Sequence, residues 1–247
     1  MKTNKLLGFC CFALVAIMMT SCVAYRPQVV EVPLIHEKGE LQINGSVGLS
    51  FPFIGDGYLG TTVSYGATDW LAVQAHGNWN GDKGGYGQVA AGAYKAWNKA
   101  VLEGYVGYGF GGSKWTPSND STSNSNGRIV TSRYHLPFAQ VNFGWAGLAN
   151  GHFDIGVGLK GGCILPHIED FKPSNGTLTV SKSPVALLEP QFFMRAGGKH
   201  LKWSLNIGFS QLWGSGANHE PFPETGVIYN PITISTGITY DFNVIKK

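Results

Sequence analysis

The chain is expected to fold as an all-β protein, an antiparallel up-and-down barrel of about ten strands (eight to twelve). Three observations predict this. Apolar and small polar residues alternate with a period of two through most of the chain after residue 32. Tight turns and longer connections alternate between these stretches. Composition adds the third: 35 Gly and 13% aromatic residues accompany only 13% charged residues, where a soluble domain carries about 25%.

Each strand can be read in turn. Leu41, Ile43, Val47, Leu49 and Phe51 share one face, opposite Gln42, Asn44, Ser46, Gly48 and Ser50. Leu59, Val63 and Tyr65 oppose Thr62, Ser64 and Gly66, and Leu71, Val73, Ala75 and Trp79 oppose Gln74, His76, Asn78 and Asn80. From Tyr86 to Trp97 the Gly and Ala residues leave the facing undecided. Leu102, Val106, Tyr108 and Phe110 oppose Glu103, Tyr105, Gly107 and Gly109. Ala139, Val141, Phe143 and Trp145 then oppose Gln140, Asn142 and Gly144. Phe153, Ile155, Val157 and Leu159 oppose Asp154, Gly156, Gly158 and Lys160, with Cys163 on the apolar side. Leu188, Phe192 and Met194 oppose Glu189, Gln191 and Arg195. Leu201, Trp203, Leu205, Ile207 and Phe209 oppose Lys202, Ser204, Asn206, Gly208 and Ser210. The last strand sets Ile232, Ile234, Ile238, Tyr240 and Phe242 against Thr233, Ser235, Gly237, Thr239 and Asp241.

Alternation alone does not say which face is wet, so a soluble barrel or sandwich competes. The composition of the polar face favours a membrane. A solvated strand surface carries Lys and Glu, whereas this one is Gly, Ser, Thr, Asn and Gln. Aromatic residues close both ends of the apolar face: Trp70, Trp145, Phe153, Trp203, Tyr240 and Phe242 beside short turns, and Phe51, Trp79, Phe110, Phe209 and Trp213 near long loops. Two aromatic girdles around an aliphatic band suit a bilayer and its interfaces. The turns at 68–69, 98–99, 149–151 and 197–199 are short. The joins at 52–57, 81–84, 114–132, 165–184 and 214–229 are longer, which is the periplasmic and extracellular asymmetry of such barrels.

Residues 1–21 have the form of an export signal, with Lys2 and Lys5 before the apolar run Leu6 to Met19, too short to span a bilayer. Its end, Met19-Thr20-Ser21-Cys22, resembles a lipobox, which implies cleavage after Ser21 and a lipid on Cys22; the usual Leu is replaced by Met19. The domains expected are therefore the signal peptide (1–21), a periplasmic segment (22–38) and the barrel (39–247). Cys10 and Cys11 leave with the signal, and Cys22 and Cys163 make neither a disulfide framework nor a metal pair. The net charge of +3 falls to +1 when Lys2 and Lys5 are removed, no basis for a nucleic-acid partner.

At the C-terminus, Ser235, Gly237, Tyr240 and Phe242 have the polar-x-Gly-x-x-aromatic-x-aromatic spacing. It resembles the signal by which bacterial outer-membrane barrels are recognised, implying the barrel-assembly machinery as a partner. Val32-Pro33-Leu34-Ile35-His36-Glu37-Lys38-Gly39-Glu40 after a lipobox, with the run from Gly104 to Gly111, resembles small outer-membrane β-barrel lipoproteins of the Bacteroidota type. The resemblance implies fold and location: the bacterial outer membrane, both termini periplasmic, outer-membrane lipid around the wall and an unidentified extracellular ligand at the loops.

Candidates for chemistry are sparse. His167-Ile168-Glu169-Asp170 and His219-Glu220 are placed in long loops, where nothing makes them converge as acid–base work requires. No catalytic residue, metal site or cofactor is expected, and the chain is read as not being an enzyme. The Gly104–Gly112 run has a strand period and no following helix, unlike a nucleotide-binding loop. Asp120-Ser121-Thr122, in the low-complexity loop Ser118 to Asn126, resembles the O-glycosylation acceptor of that phylum.

The polar face also carries Glu103, Asp154, Lys160, Glu189, Arg195, Lys202 and Asp241. Lone charges in a narrow lumen are costly, so opposite charges should pair there. Lys160 and Glu189 are expected to interact at mid-height, with Asp154, Arg195 and Lys202 forming a second group at the periplasmic end. The function expected is a structural or surface-interaction role through long extracellular loops; a small pore and a rim-located enzyme are the alternatives.

Overall fold

A computed structural model describes Tyr25 and residues 29–51, 57–81, 84–115, 129–214 and 231–245. These form a closed antiparallel barrel of ten staves. The staves are β1 (Glu40–Phe51), β2 (Gly57–Gly66), β3 (Leu71–Trp79), β4 (Gly84–Trp97), β5 (Ala100–Trp115), β6 (Ile129–Gly147), β7 (Phe153–Lys172), β9 (Val185–Gly197), β10 (Leu201–Phe209) and β12 (Ile232–Asn243). Two short strands extend this set: β8 (Thr177–Ser181) folds back on the top of β7, and β11 (Gln211–Trp213) carries the line of β10 onward along β9. Each stave pairs with its neighbours in sequence, and β12 closes on β1 from Phe51↔Ile232 to Glu40↔Asn243. Closure leaves no edge of the ring unpaired, the condition for crossing lipid with strands.

Every strand face predicted from alternation is observed. On β1 the residues Gln42, Asn44, Ser46 and Ser50 are buried in the lumen, while Ile43, Val47 and Leu49 face outward. The undecided stretch β4 resolves with Tyr86, Gln88, Ala90 and Tyr94 inward and Val89 outward. Outward aromatics form two belts, Trp70, Trp97, Trp145, Trp203 and Tyr240 at the short-turn end and Trp79, Phe110, Phe209 and Trp213 at the other. Cys163 is a free thiol on the outer, partly exposed face.

Two expectations about connections are corrected. The join expected at 114–132 is shorter, because β5 runs to Trp115 and β6 begins at Ile129, the ladder continuing past Ser113↔Ser132 up to Trp115↔Val130. The join expected at 165–184 is also largely sheet, so His167, Glu169 and Asp170 lie on β7 rather than in a loop. The physical cause is a change of surroundings along the strands. Above the apolar band the outward residues of β6 become Thr131, Arg133, His135 and Pro137, so backbone pairing persists while alternation of hydropathy fades.

One finding lies outside the strands, in residues 29–35 of the stretch expected ahead of the barrel. Residues 29–35 lie inside the barrel, with Val29, Val30, Glu31, Val32, Leu34 and Ile35 at most 3% exposed. An apolar run of this kind finds a better environment against the inner wall than in water.

Candidate functional site

The feature most able to define function is the filled lumen. The inner segment, residues 29–38, is held by wall side chains that satisfy its backbone. Arg195 donates to the carbonyl of Pro33 at 3.1 Å and to that of Val32. Glu103 accepts from the Ile35 amide at 2.8 Å, and Gln191 accepts from the Val30 amide at 2.7 Å. Gln140 donates to the Glu31 carbonyl at 2.8 Å, and Gln42 donates to the Pro33 carbonyl at 2.9 Å. At the short-turn mouth the amides of His36 and Glu37 donate to the Glu40 carboxylate, at 2.6 and 3.3 Å. Backbone groups withdrawn from water need such partners. The wall makes room for the segment with glycines: a side chain at Gly158 or Gly144 would meet Val32 or Leu34.

The interior charges fall into distinct settings. Lys160 and Glu189 are directly opposed in the β7–β9 register, with Lys160 Nζ 3.8 Å from Glu189 Oε2. Lys160 also donates to Gln88 Oε1 at 2.9 Å and the Tyr86 hydroxyl at 3.3 Å, and lies 4.6 Å from the centre of the Phe138 ring. Glu189 Oε1 accepts from Tyr25 at 2.9 Å and Ser210 at 2.8 Å. Nearer the mouth, Lys202 Nζ bonds both oxygens of Asp154 at 3.0 and 2.8 Å and lies 3.7 Å from Asp241. His36 stands outside the strands at this mouth. Burial holds its imidazole below the usual histidine range, so it adds no charge to the Lys202 group at neutral pH.

Two members of the expected charge set behave differently. Arg195 turns to the inner segment's carbonyls, with its guanidinium 4.8 Å from the Phe193 ring, although Asp154 is its register partner. Glu103 is met by neutral donors, the Ile35 amide, Asn142 at 2.8 Å and Tyr105 at 3.3 Å. Counting charges on strands alone could not anticipate this, because the partner is a segment outside the strands. The signal available was Val29-Val30-Glu31-Val32-Pro33-Leu34-Ile35 itself, too apolar for a periplasmic linker.

The loop-side half of the lumen is aromatic. Tyr86 and Tyr134 stack with centroids 6.0 Å apart and planes at 17°, and Tyr25 meets Tyr134 edge-on at 5.3 Å. Each wall tyrosine lies on a glycine of β5. A Cβ at Gly109 would overlap the Tyr86 hydroxyl, and one at Gly111 the Tyr134 hydroxyl. The glycine-rich run is thus a set of seats for rings, a close approach only Gly permits.

The remaining candidates are dispersed. His167 Nε2 is 3.1 Å from Glu169 Oε1 on the outer wall of β7, while Asp170 faces inward and is buried. This pair therefore faces away from the lumen. Of the C-terminal signal residues, Ser235 and Gly237 face inward, and Tyr240 and Phe242 pack together outward at 5.5 Å. Among the described residues, no group of three His, Cys, Asp or Glu is placed to hold a metal. Cys22, His219-Glu220 and Asp120-Ser121-Thr122 lie outside the described residues.

No protein-family model matches the sequence, and no curated protein matches it. Solved structures do match. The outer membrane protease OmpT of Escherichia coli superposes with a TM-score of 0.57 at 9% identity, over 87% of this chain and 100% of that one. The N-terminal β-barrel domain of Pseudomonas aeruginosa OprF (0.34, 10%, covering 83% and 98%) and the translocator domain of Neisseria meningitidis NalP (0.33, 9%, covering 81% and 87%) match more loosely. The first likeness establishes the fold, an outer-membrane-type β-barrel, and nothing finer at that identity. It also corrects one expectation: the judgement that the chain is not an enzyme is withdrawn, because a protein named as a protease is built on the same architecture.

Proposed function

We propose that this chain is a bacterial outer-membrane barrel whose lumen is occupied by its own N-terminal segment, and that it acts at the cell surface through its long loops. The observation that carries this is the burial of residues 29–35 in the lumen with their backbone bonded to Arg195, Glu103, Gln191 and Gln140. A ten-stranded wall is narrow enough for side chains and one extended segment to fill it. Ion passage would require these bonds to break, which disfavours the small-pore alternative. The apolar outer wall and its two aromatic belts support embedding in lipid. The lipobox-like Met19-Thr20-Ser21-Cys22 supports a lipoprotein of the Bacteroidota type with a signal at 1–21, and the terminal aromatic spacing supports delivery by the barrel-assembly machinery. The test is conductance of the refolded chain in a planar bilayer: no steady openings are expected, whereas uniform, long-lived openings would overturn the closed-lumen reading. Mass spectrometry of the mature N-terminus tests the lipid on Cys22.

A further inference from the structure

The direction in which the inner segment runs decides where the chain enters the barrel. Its contacts descend in order. Tyr25 touches Glu189 and Tyr134; Val30 bonds Gln191; Glu31 bonds Gln140; Val32 and Pro33 bond Arg195; Ile35 bonds Glu103; Glu37 bonds Glu40 at the short-turn mouth. The chain then turns at Gly39 and climbs the wall as β1. Residues 29–37 therefore run downward from the loop side toward the short turns, and whatever precedes Tyr25 starts from above them.

The distances are decisive. Glu189 stands eight positions before Gly197, where β9 ends. At ~3.3 Å per residue this is about 26 Å along the strand, or roughly 20 Å of height at the tilt of such strands. Tyr134 is higher still, thirteen positions before Gly147 on β6. Cys22 is three residues upstream of Tyr25, a reach of at most about 10 Å. The way down is taken by residues 29–37 themselves, of which 29–35 are buried against the wall.

We infer that the chain is threaded through its own barrel from the side of the long loops, with Tyr25 at the upper end of the thread and Glu37 at the lower, so that a tag placed ahead of Tyr25 should be reached from the loop side. This rests on the closed-lumen reading above and replaces the expectation of a periplasmic N-terminus. Tyr25 serves as the collar of the thread, its hydroxyl held by Glu189 and its ring by Tyr134.

Two measurements on the full chain, both in a Cys163→Ser background, separate the thread from its direction. Val32→Cys with Gly158→Cys places two thiols at a contact already made, since a Cβ at Gly158 would lie 2.8 Å from the Val32 side chain. Oxidation in cells should cross-link them and shift the unfolded band on a non-reducing gel. An eight-residue epitope inserted between Val23 and Ala24 is then stained on intact and permeabilised cells, beside reference epitopes at 120–121 and at the Asn150 turn. Staining that follows the loop reference supports the inference. Cross-linking together with staining that follows the Asn150 reference overturns the direction of threading and spares the closed lumen. Absence of the cross-link in a folded barrel overturns both. Should the insertion block assembly, Ala24→Cys labelled by a membrane-impermeant maleimide gives the same two outcomes.

Discussion

Lys160 and Lys202 both point into the lumen toward acids, and they are held in different ways. Lys202, near the mouth, clasps both oxygens of Asp154 and has Asp241 beside it. Lys160, wholly buried at mid-height, is 3.8 Å from Glu189 and gives its hydrogen bonds to Gln88 and Tyr86. Glu189 likewise takes its hydrogen bonds from Tyr25 and Ser210. The mouth group meets charge with charge directly, one ammonium between two carboxylates, with the Gly147 amide donating to Asp154 at 2.8 Å. A charge removed from water needs its opposite for neutrality and neutral dipoles for hydrogen bonding, and the deep pair recruits both. Because one of those dipoles is Tyr25, the deep pair also holds the threaded segment, which the mouth group does not.

The largest effect should follow from Lys160→Met. It leaves Glu189 buried without a counter-charge, at a cost of about 3–5 kcal/mol. The heat needed to convert the folded gel band to the unfolded one in detergent should fall sharply. Adding Glu189→Gln should recover most of the loss, since Gln keeps the acceptor for Tyr25 and Ser210. Losses that simply add would mean the two residues are not a pair.

Lys202→Met should cost less, about 2 kcal/mol for its charged hydrogen bonds, because Asp154 keeps the Gly147 amide as a donor at 2.8 Å and Asp241 is partly exposed. Equal losses for the two lysines would erase the distinction between depth and mouth. The pair Gly109→Ala and Gly104→Ala sharpens it further. At Gly109 the new methyl displaces Tyr86, which bonds Lys160, and overpacking of about 1 kcal/mol is expected. At Gly104, on the outer face with nothing within 4 Å, the change should leave stability unaltered.

These contrasts also show what could be read from the chain alone. The staves and their facing follow from a period of two, because each strand separates two environments, and the Lys160–Glu189 opposition follows from their equal distance from the short turns. Residues 29–35 are surrounded by the wall on all sides, so they have no second environment and no alternation; the same run could belong to a linker or a core. The upper parts of β6 and β7 escaped for the opposite reason, since His135, His167 and Glu169 face water outside as Ser132 and Asp170 face the lumen inside. The aromatic seats on Gly109 and Gly111 require knowing which strands are neighbours, and register is not written in either strand alone.

A comparably small effect is expected at the exposed pair His167 and Glu169, whose side chains are 42% and 50% exposed. Such a pair is screened by solvent and contributes at most about 0.5 kcal/mol. His167→Ala should therefore leave the melting of the barrel in detergent unchanged within that margin, in contrast to Lys160→Met. The residue sits on the outer wall above the aliphatic band, facing away from Tyr86 and Tyr134, so the lumen should not register its loss. A marked fall in heat stability for His167→Ala would show that the part of β7 above the membrane is coupled to the interior. The contrast between a buried, cooperative lumen and an independent outer rim would then have to be abandoned.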